Sequence, residues 1–271
     1  MKSLIRDALN EDRAKQDITS RAIFGRGGPR RTGFLLAKEN LVLSGLDVAR
    51  DVFTAVSRKT RVISGYSNGA RVKKGERLAR VEGNIADLLS AERVALNFLQ
   101  HLSGVATLTR KFVEEIRPCR AAILDTRKTT PGLRGLEKRA VLHGGGKNHR
   151  MNLSDQFLIK DNHIEAAGGI RQAVRQVKKV VRGKLIEIEA KNLREVAAAL
   201  DEGVDIILLD NMSLAQIKKA VKIVRGRCTL EVSGGVNLKN VRKIAKTGVD
   251  RISIGFLTHS APAVDISFEI I

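Results

Sequence analysis

The chain has 271 residues, enough to bury roughly three quarters of the surface of its unfolded form and so to fold around a full core. A hydrophobic content of 43% and a charged content of 29% exclude a wholly disordered protein. The formal net charge of +20 favours anionic ligands, which include nucleic acids, membrane surfaces and small anionic substrates.

Cysteine, apolar and aromatic content narrow the class of protein further. The two cysteines form no Cys-x-x-Cys pair, which excludes a disulfide framework and a cysteine-rich zinc site. No apolar run reaches the roughly 20 residues of a membrane span, and residues 1–20 lack the apolar stretch of a secretory signal. We therefore expect the protein to reside in a reducing cytoplasm. A single Tyr, no Trp and eight scattered Phe offer few stacking surfaces for single-stranded nucleic acid.

The first part of the chain predicts a small α/β domain. Residues 1–20 are predicted to form a helix followed by an Asp-Ile-Thr turn. Short apolar runs separated by glycines between 32 and 82 predict strands, with a helix at 46–57. A long helix follows, because apolar residues recur three and four apart, with Ser90 as a candidate N-cap and an end before Pro118.

The rest of the chain alternates β-type apolar runs with helical stretches. The strands are predicted at 121–126, 157–162, 185–190, 205–210, 229–235 and 251–255, and the helices at about 132–142, 169–182, 192–202, 213–225 and 237–247. This alternation predicts βα units and a parallel sheet. Because no dinucleotide-binding GxGxxG motif is present, an incomplete α/β barrel is favoured over a doubly wound sheet.

Polar residues follow nearly every predicted strand, at the end of a βα barrel that holds the active site. One such charge would be only a solvated strand cap, but several in register favour a shared charged site. Glu189 and Asp210, on neighbouring strands, could hold Mg²⁺ through water. Ser233-Gly234-Gly235 and Gly255 suit a phosphate-binding loop. The polar strand-end residues are Asp125, Arg127, Lys128, Lys160, Asp161, Asn162, Glu187, Glu189, Asp210, Asn211, Glu231 and Ser233.

Basic residues concentrate on either side of a Gly-Gly-Gly run. The cluster comprises Arg127, Lys128, Arg134, Lys147, His149, Arg150 and Lys160. Arginine binds carboxylate and phosphate through paired donors, so this cluster with two acids predicts a site for a polyanion and a metal. Lys138 and Arg139 are expected at a helix surface, and His101 and His143 are expected to be structural. The absence of a GxSxG motif disfavours nucleophilic hydrolysis, and neither the HExxH zinc spacing nor a Walker P-loop is present.

Several of these segments together resemble one family. They are DTRKTTPGLR, HGGGKNHR, IKDNHI, LLDNMS, EVSGGV and ISIGFLTHSAPAVDIS, preceded by EDRAKQDITS and ERVALNFLQHLSGVAT. These motifs, which span nearly the whole chain, resemble quinolinate phosphoribosyltransferase, also called nicotinate-nucleotide pyrophosphorylase (carboxylating). The resemblance implies an N-terminal α/β sandwich at 1–103, joined by the tail 262–271, and an open α/β barrel of the type II phosphoribosyltransferase kind at 104–261 that carries the active site.

The resemblance also implies an activity. The family transfers phosphoribosyl from 5-phosphoribosyl 1-pyrophosphate to quinolinate with decarboxylation, giving nicotinate mononucleotide, pyrophosphate and CO2 in de novo NAD synthesis. It implies Mg²⁺ as the cofactor and a homodimer or hexamer. Neither nucleic acid nor membrane is then expected as a partner. The alternatives are a related enzyme on the same scaffold, such as a nicotinate phosphoribosyltransferase or a molybdenum-associated homologue, and a nucleic-acid-binding protein.

Residue roles follow from the resemblance position by position. The implied quinolinate cradle is Arg93, Arg127, His149, Arg150 and Lys160, with Arg93 supplied by the neighbouring subunit. The implied ligands of 5-phosphoribosyl 1-pyrophosphate are Lys128, Ser233, Gly234, Gly235, Gly255 and His259. The implied catalytic residues are Lys128, Glu189 and Asp210, and the two acids are also the implied Mg²⁺ ligands, through water.

Overall fold

The computed structural model describes residues 1–25 and 28–271. These residues form two compact units. The first unit comprises 1–108, 130–145 and 260–271, and the second comprises 109–129 and 146–259. None of the helices formed by the described residues combines the length and the apolar character that crossing a membrane requires.

The elements are numbered in chain order. The helices are α1 (Lys2–Glu11), α2 (Ile18–Phe24), α3 (Leu46–Val56), α4 (Ile85–Glu115), α5 (Arg134–His143), α6 (Asp161–Ala166), α7 (Ile170–Val180), α8 (Leu193–Asp201), α9 (Leu214–Val224), α10 (Val241–Ala245) and α11 (Phe256–His259). The strands are β1 (Arg30–Ala37), β2 (Leu41–Val42), β3 (Arg61–Ile63), β4 (Arg71–Val72), β5 (Arg77–Asn84), β6 (Ala122–Leu124), β7 (Phe157–Ile159), β8 (Ile186–Ala190), β9 (Ile206–Asp210), β10 (Thr229–Ser233), β11 (Arg251–Ser253) and β12 (Ile266–Ile270).

The first unit is built on an antiparallel sheet of strand order β12-β1-β5-β3. The last strand of the chain, β12, pairs along β1, which brings Phe268 opposite Leu35. Phe53 of α3 contacts Phe268 with ring centroids 5.6 Å apart, so α3 covers this sheet with an apolar face. The predicted strands and the helix at 46–57 are confirmed.

Two predictions about the first unit are wrong in their boundaries. The predicted N-terminal helix ends at Glu11, and the Asp-Ile-Thr segment is not a turn but the start of a second helix, α2, which Asp17 caps, its Oδ1 accepting the amide of Ser20 at 3.0 Å. Ser90 does not begin α4, since β5 continues directly into that helix at Ile85. The Ser90 hydroxyl instead donates to Asp17 Oδ2 at 3.1 Å.

The second unit is a parallel sheet of six strands in the order β6-β11-β10-β9-β8-β7. Each of the six predicted apolar runs forms one of these strands. β6 and β7 are the two edges, so the sheet is an open barrel, as predicted. In the parallel register Ser233 pairs with Asp210, which aligns the carboxyl ends of neighbouring strands. The residues at the carboxyl ends of the strands therefore lie together along one edge of the sheet.

Candidate active site

A cavity of about 580 Å³ lies at the carboxyl ends of the second unit's strands. This volume is typical of small-molecule sites. Every strand of the sheet contributes to its lining through its end or the loop that follows. The predicted site residues that line it are Arg127, Lys128, His149, Arg150, Lys160, Glu189, Asp210, Ser233, Gly234, Gly235, Gly255 and His259.

Some of the basic residues singled out in the sequence do not line this cavity. Arg93 is exposed on α4, within the first unit. The prediction that Lys138 lies at a helix surface is wrong, because its side chain is fully buried on α5. Leu136, Glu137 and Lys138 are consecutive and all buried, so α5 is covered on several sides rather than along one stripe.

His149 is held by acids from two strands of the sheet. Its Nε2 lies 3.1 Å from Glu187 Oε2 and 3.4 Å from Glu231 Oε1. Its backbone amide donates to Asp125 Oδ1 at 2.9 Å, which fixes the loop above the end of β6. Burial opposes a charge on the ring, but hydrogen bonds and attraction from the two glutamates raise the pKa of His149 to about 9.

Arg150 adds a second buried cation beside His149. Burial and then repulsion from Arg127 lower the pKa of the Arg150 guanidinium from its usual value. Two arginines that repel each other at the wall of a cavity favour an anion between them. A ligand with two carboxylates would relieve this repulsion.

The cavity is also lined by the two predicted acids, Glu189 and Asp210. Glu189 forms an ion pair with Lys160, Oε1 to Nζ 3.1 Å, and Asp210 accepts a hydrogen bond from Asn211 Nδ2 at 3.2 Å. Both acids line the cavity from adjacent strands, and carboxylate oxygens are the ligands that Mg²⁺ prefers. The donor set therefore fits a magnesium ion held through water.

His149, Glu187 and Glu231 form another group that could hold a metal, since their ligand atoms lie within 4.8 Å of one another. The distances from Nε2 to both glutamates are those of hydrogen-bonded ion pairs. We therefore interpret this group as an ion-pair network rather than a metal centre.

The loop after β10 forms a tight backbone cradle. Gly234 has φ +92° and Gly235 has φ +62°, values that favour glycine. A Cβ atom on Gly234 would lie 2.1 Å from Asn211 Oδ1. The sequence predicted a helix from about 237, close enough for its amino end to face a phosphate bound at this loop. That expectation is wrong, because α10 begins only at Val241. Backbone amides of the turn, rather than a helix end, are available to an anion here.

Gly255 brings two further predicted residues together. A Cβ atom at this position would meet Lys128 Cδ at 3.0 Å and His259 Cδ2 at 3.3 Å. The Thr258 hydroxyl donates to the Lys128 carbonyl at 2.6 Å. The missing side chain thus allows the loop after β6 and α11 to close around one polar corner.

Glu187, Glu231 and Asn211 belong to the site although neither the charge pattern nor the family resemblance implied a role for them. All three do stand among the polar residues at the strand ends, and acids at alternate positions of the run IEIEA indicate one inward face. The pattern did not predict that some of these acids are buried. Asp125, Glu187 and Glu231 are fully buried rather than solvated strand caps.

The chain matches two family models. Residues 17–103 match the quinolinate phosphoribosyl transferase N-terminal domain, and residues 105–269 match the C-terminal domain of the same family. A quinolinate phosphoribosyltransferase [decarboxylating] 2b, mitochondrial, of Nicotiana tabacum is 41% identical, the match covering 100% of this chain and 82% of the relative. A probable nicotinate-nucleotide pyrophosphorylase [carboxylating] of Bacillus subtilis is 38% identical, over 100% of this chain and 93% of the relative.

Solved structures agree with the sequence comparisons. The crystal structure of nicotinate-nucleotide pyrophosphorylase from Ehrlichia chaffeensis has a TM-score of 0.95 and 43% identity, covering 100% of this chain and 98% of that one. Human nicotinic acid phosphoribosyltransferase shares the fold, with a TM-score of 0.67 at 12% identity, covering 96% of this chain and 74% of that one. The matches in both units, the relatives and the solved structures agree, and the chain belongs to the quinolinate phosphoribosyltransferase family.

Proposed function

We propose that the cavity of the second unit binds quinolinate beside 5-phosphoribosyl 1-pyrophosphate and makes nicotinate mononucleotide. This is the reaction of the family, a pentosyl transfer with decarboxylation in NAD synthesis, and the relatives carry both of its names. The observation that carries the proposal is that all the site residues implied by the family resemblance, except Arg93, line one cavity. Both substrates are polyanions, which suits a cavity lined by so many cations.

Quinolinate is assigned to the part of the cavity with Arg127, His149, Arg150 and Lys160. Each carboxylate of the pyridine would take a charge-assisted hydrogen bond from a fixed cation, and the arginines can bind in the paired mode. Holding both carboxylates also fixes the ring, so that its nitrogen faces the anomeric carbon of the sugar.

The phosphoribosyl donor is assigned to the backbone cradle at 233–235 and to the corner formed by Lys128, Gly255 and His259. The bond from the anomeric carbon to pyrophosphate breaks while the bond to the ring nitrogen forms. Lys128 stabilises charge on the departing pyrophosphate, and Glu189 or Asp210 offsets positive charge on the sugar carbon. The 2-carboxylate then leaves as CO2, and the ring carbon takes up a proton.

Glu189 and Asp210 are also the residues proposed to hold Mg²⁺ through water. A bound Mg²⁺ supplies positive charge next to the pyrophosphate, where few protein cations can be added without repelling one another. In the structure the Glu189 carboxylate is instead paired with the Lys160 ammonium. We expect this ion pair to loosen when both substrates are bound.

The experiment that tests the function is a magnesium-dependent assay with quinolinate and 5-phosphoribosyl 1-pyrophosphate. Nicotinate mononucleotide and CO2 should be released in equal amounts. Nicotinate replaces quinolinate in a parallel reaction as the control. Turnover of nicotinate without turnover of quinolinate would reject the proposal in favour of a related phosphoribosyltransferase.

The assembly is proposed to be a homodimer, or a hexamer of such dimers, in which Arg93 serves the neighbouring subunit's quinolinate site. The support is that Arg93 is exposed on α4 and does not line the cavity of its own second unit. The cytoplasm is proposed as the compartment, because Cys119 and Cys228 are both free thiols. Fractionation of cells that make the protein tests this location.

A further inference from the structure

Two buried acids, Glu187 and Glu231, have no role in the function proposed above. Glu187 on β8 and Glu231 on β10 are both 0% exposed. An ionised carboxylate in such a place is unfavourable unless a partner compensates its charge. Ser253 donates its hydroxyl hydrogen to Glu231 Oε1, while Glu231 Oε2 meets no hydrogen-bond partner among the described residues.

The shared partner of the two acids is His149. The Nε2 atom of its ring lies between Glu187 Oε2 at 3.1 Å and Glu231 Oε1 at 3.4 Å. The other ring nitrogen, Nδ1, lies 2.7 Å from the backbone amide of Arg150. Both edges of the imidazole are therefore fixed, and its hydrogen at Nε2 points down into the sheet.

Glu187 also reaches the far end of the same loop. Gln156 donates from Nε2 to Glu187 Oε2 at 2.5 Å, and Arg150 donates from Nη1 to the Gln156 carbonyl at 3.3 Å. One buried carboxylate thus holds both ends of the loop 149–156 and, through Gln156, restrains the Arg150 guanidinium.

We infer that Glu187 and Glu231 are positioning residues for quinolinate, which hold His149 and Arg150 in the orientation that grips the pyridine dicarboxylate. This inference rests on the proposed function, because it takes His149 and Arg150 as groups of the quinolinate cradle. Glu187 is not part of the cavity wall and reaches the substrate site only through the loop. Glu231 does line the cavity, but its side chain is buried and its contact with the loop is the ion pair with His149.

The charge state of His149 follows from the groups that face it. Glu187 and Glu231 favour the imidazolium, Asp125 accepts the residue's backbone amide, and the Arg150 guanidinium is the neighbouring cation. The Arg150 amide at Nδ1 favours the neutral ring instead. Burial of the ring also favours the neutral form, but hydrogen bonds to the two glutamates and their attraction outweigh both effects, and the pKa of His149 lies near 9.

The test uses the full chain with Glu187→Gln. The new amide nitrogen would face the Nε2 hydrogen of His149 or the Nε2 hydrogens of Gln156, donor against donor. We expect the KM for quinolinate to rise about ten-fold and the KM for 5-phosphoribosyl 1-pyrophosphate to stay within about two-fold. Glu231→Gln keeps an acceptor and can place its amide at the unpartnered oxygen position, so its effect on the KM for quinolinate should be smaller.

The matched control is Ile188→Val. Ile188 is buried on the same strand but on its other face, so this change loosens the core without touching the loop. It should lower the melting temperature and leave both KM values unchanged. An equal rise of both KM values in Glu187→Gln, or the same split in Ile188→Val, would overturn the inference.

A spectroscopic readout separates positioning from a general loss of structure. The His149 ring, followed by NMR during a pH titration, should titrate near pH 9 in the wild type and nearer its ordinary 6.5 in Glu187→Gln. An unchanged titration together with an unchanged KM for quinolinate rejects the inference.

Gln156→Ala serves if Glu187→Gln does not fold. It removes only the tie at the far end of the loop and leaves both acids in place, so it should raise the KM for quinolinate selectively. No change in that KM would then count against the inference. A wild type that fails to turn over quinolinate at all rejects the proposed function itself, which keeps the two failures distinct.

Discussion

Arg127 is the residue at which the proposed substrate chemistry is most directly tested. It follows β6, lines the cavity and repels Arg150. A hydrogen bond to a charged group contributes about 1.5–3 kcal/mol, so Arg127→Ala should raise the KM for quinolinate roughly 10- to 100-fold. Arg120→Ala, at an exposed position two residues before the same strand, is the control. Unchanged steady-state constants in Arg127→Ala would reject the assigned role.

Glu189 is the residue that tests the magnesium proposal. Removing one carboxylate weakens the water-mediated hold on the ion, and such changes cost about ten-fold or more in metal affinity. We expect Glu189→Ala to need correspondingly more Mg²⁺ for half-maximal rate and to use 5-phosphoribosyl 1-pyrophosphate less well. A magnesium titration checks this, with the exposed Glu165→Ala as control. Superimposable titrations for Glu189→Ala and wild type would remove Glu189 from the ion's ligands.

At the scale of elements, the loop after β10 depends on a glycine. In Gly234→Ala the new Cβ would clash with Asn211 and occupy a φ of +92°. We expect the KM for 5-phosphoribosyl 1-pyrophosphate to rise by about ten-fold as the cradle shifts. Gly248→Ala has a similar φ of +96° but room for the methyl group, and it lies outside the cavity lining. Both variants should lose stability, but only Gly234→Ala should raise the KM for 5-phosphoribosyl 1-pyrophosphate. An unchanged KM in Gly234→Ala would show that the cradle holds no phosphate.

The cap of α2 is the element that predicts a pH-dependent stability. Hydrogen bonds from Ser20 hold the pKa of Asp17 below its usual value, so its contribution is present above that value and is lost as pH falls through the folded pKa. Asp17→Ala should cost about 1 kcal/mol at pH 7, or roughly 2–4 °C in Tm. The difference from wild type should shrink below about pH 4. Thr19→Ala, at an exposed neighbouring position, is the control, and a pH-independent difference would contradict the assigned cause.

At the scale of the whole molecule, the proposed subunit exchange of Arg93 predicts complementation. Arg93→Ala and Lys160→Ala should each be nearly inactive alone. A hybrid dimer has one site in which both residues are native, so random reassociation should restore about a quarter of wild-type activity. The measurement is activity after mixing, with two copies of the same variant as control. Failure to recover activity in dimers shown to be mixed would place Arg93 outside the site.

Sequence patterns determined the strands and the residues at their ends. The runs ending at Asp210 and Ser233 are apolar, of strand length and separated by helical stretches, so the parallel sheet follows from local preference and periodicity. Since parallel strands share one carboxyl edge, the convergence of Glu189, Asp210 and Ser233 could be predicted without coordinates. The helix boundary predicted at Ser90 is wrong, because its hydroxyl donates to Asp17, a residue distant in the chain, instead of capping the helix that already began at Ile85.

Only the tertiary structure decided which charges are buried. Lys138 and Glu187 have sequence neighbours like those of exposed charges, yet both are fully covered. Burial depends on elements distant in the chain, such as the loop that brings His149 and Gln156 to Glu187, and no local pattern encodes that contact. Local sequence sets the period and ends of an element, whereas the partner that makes a buried charge tolerable is chosen by the packing of the whole unit.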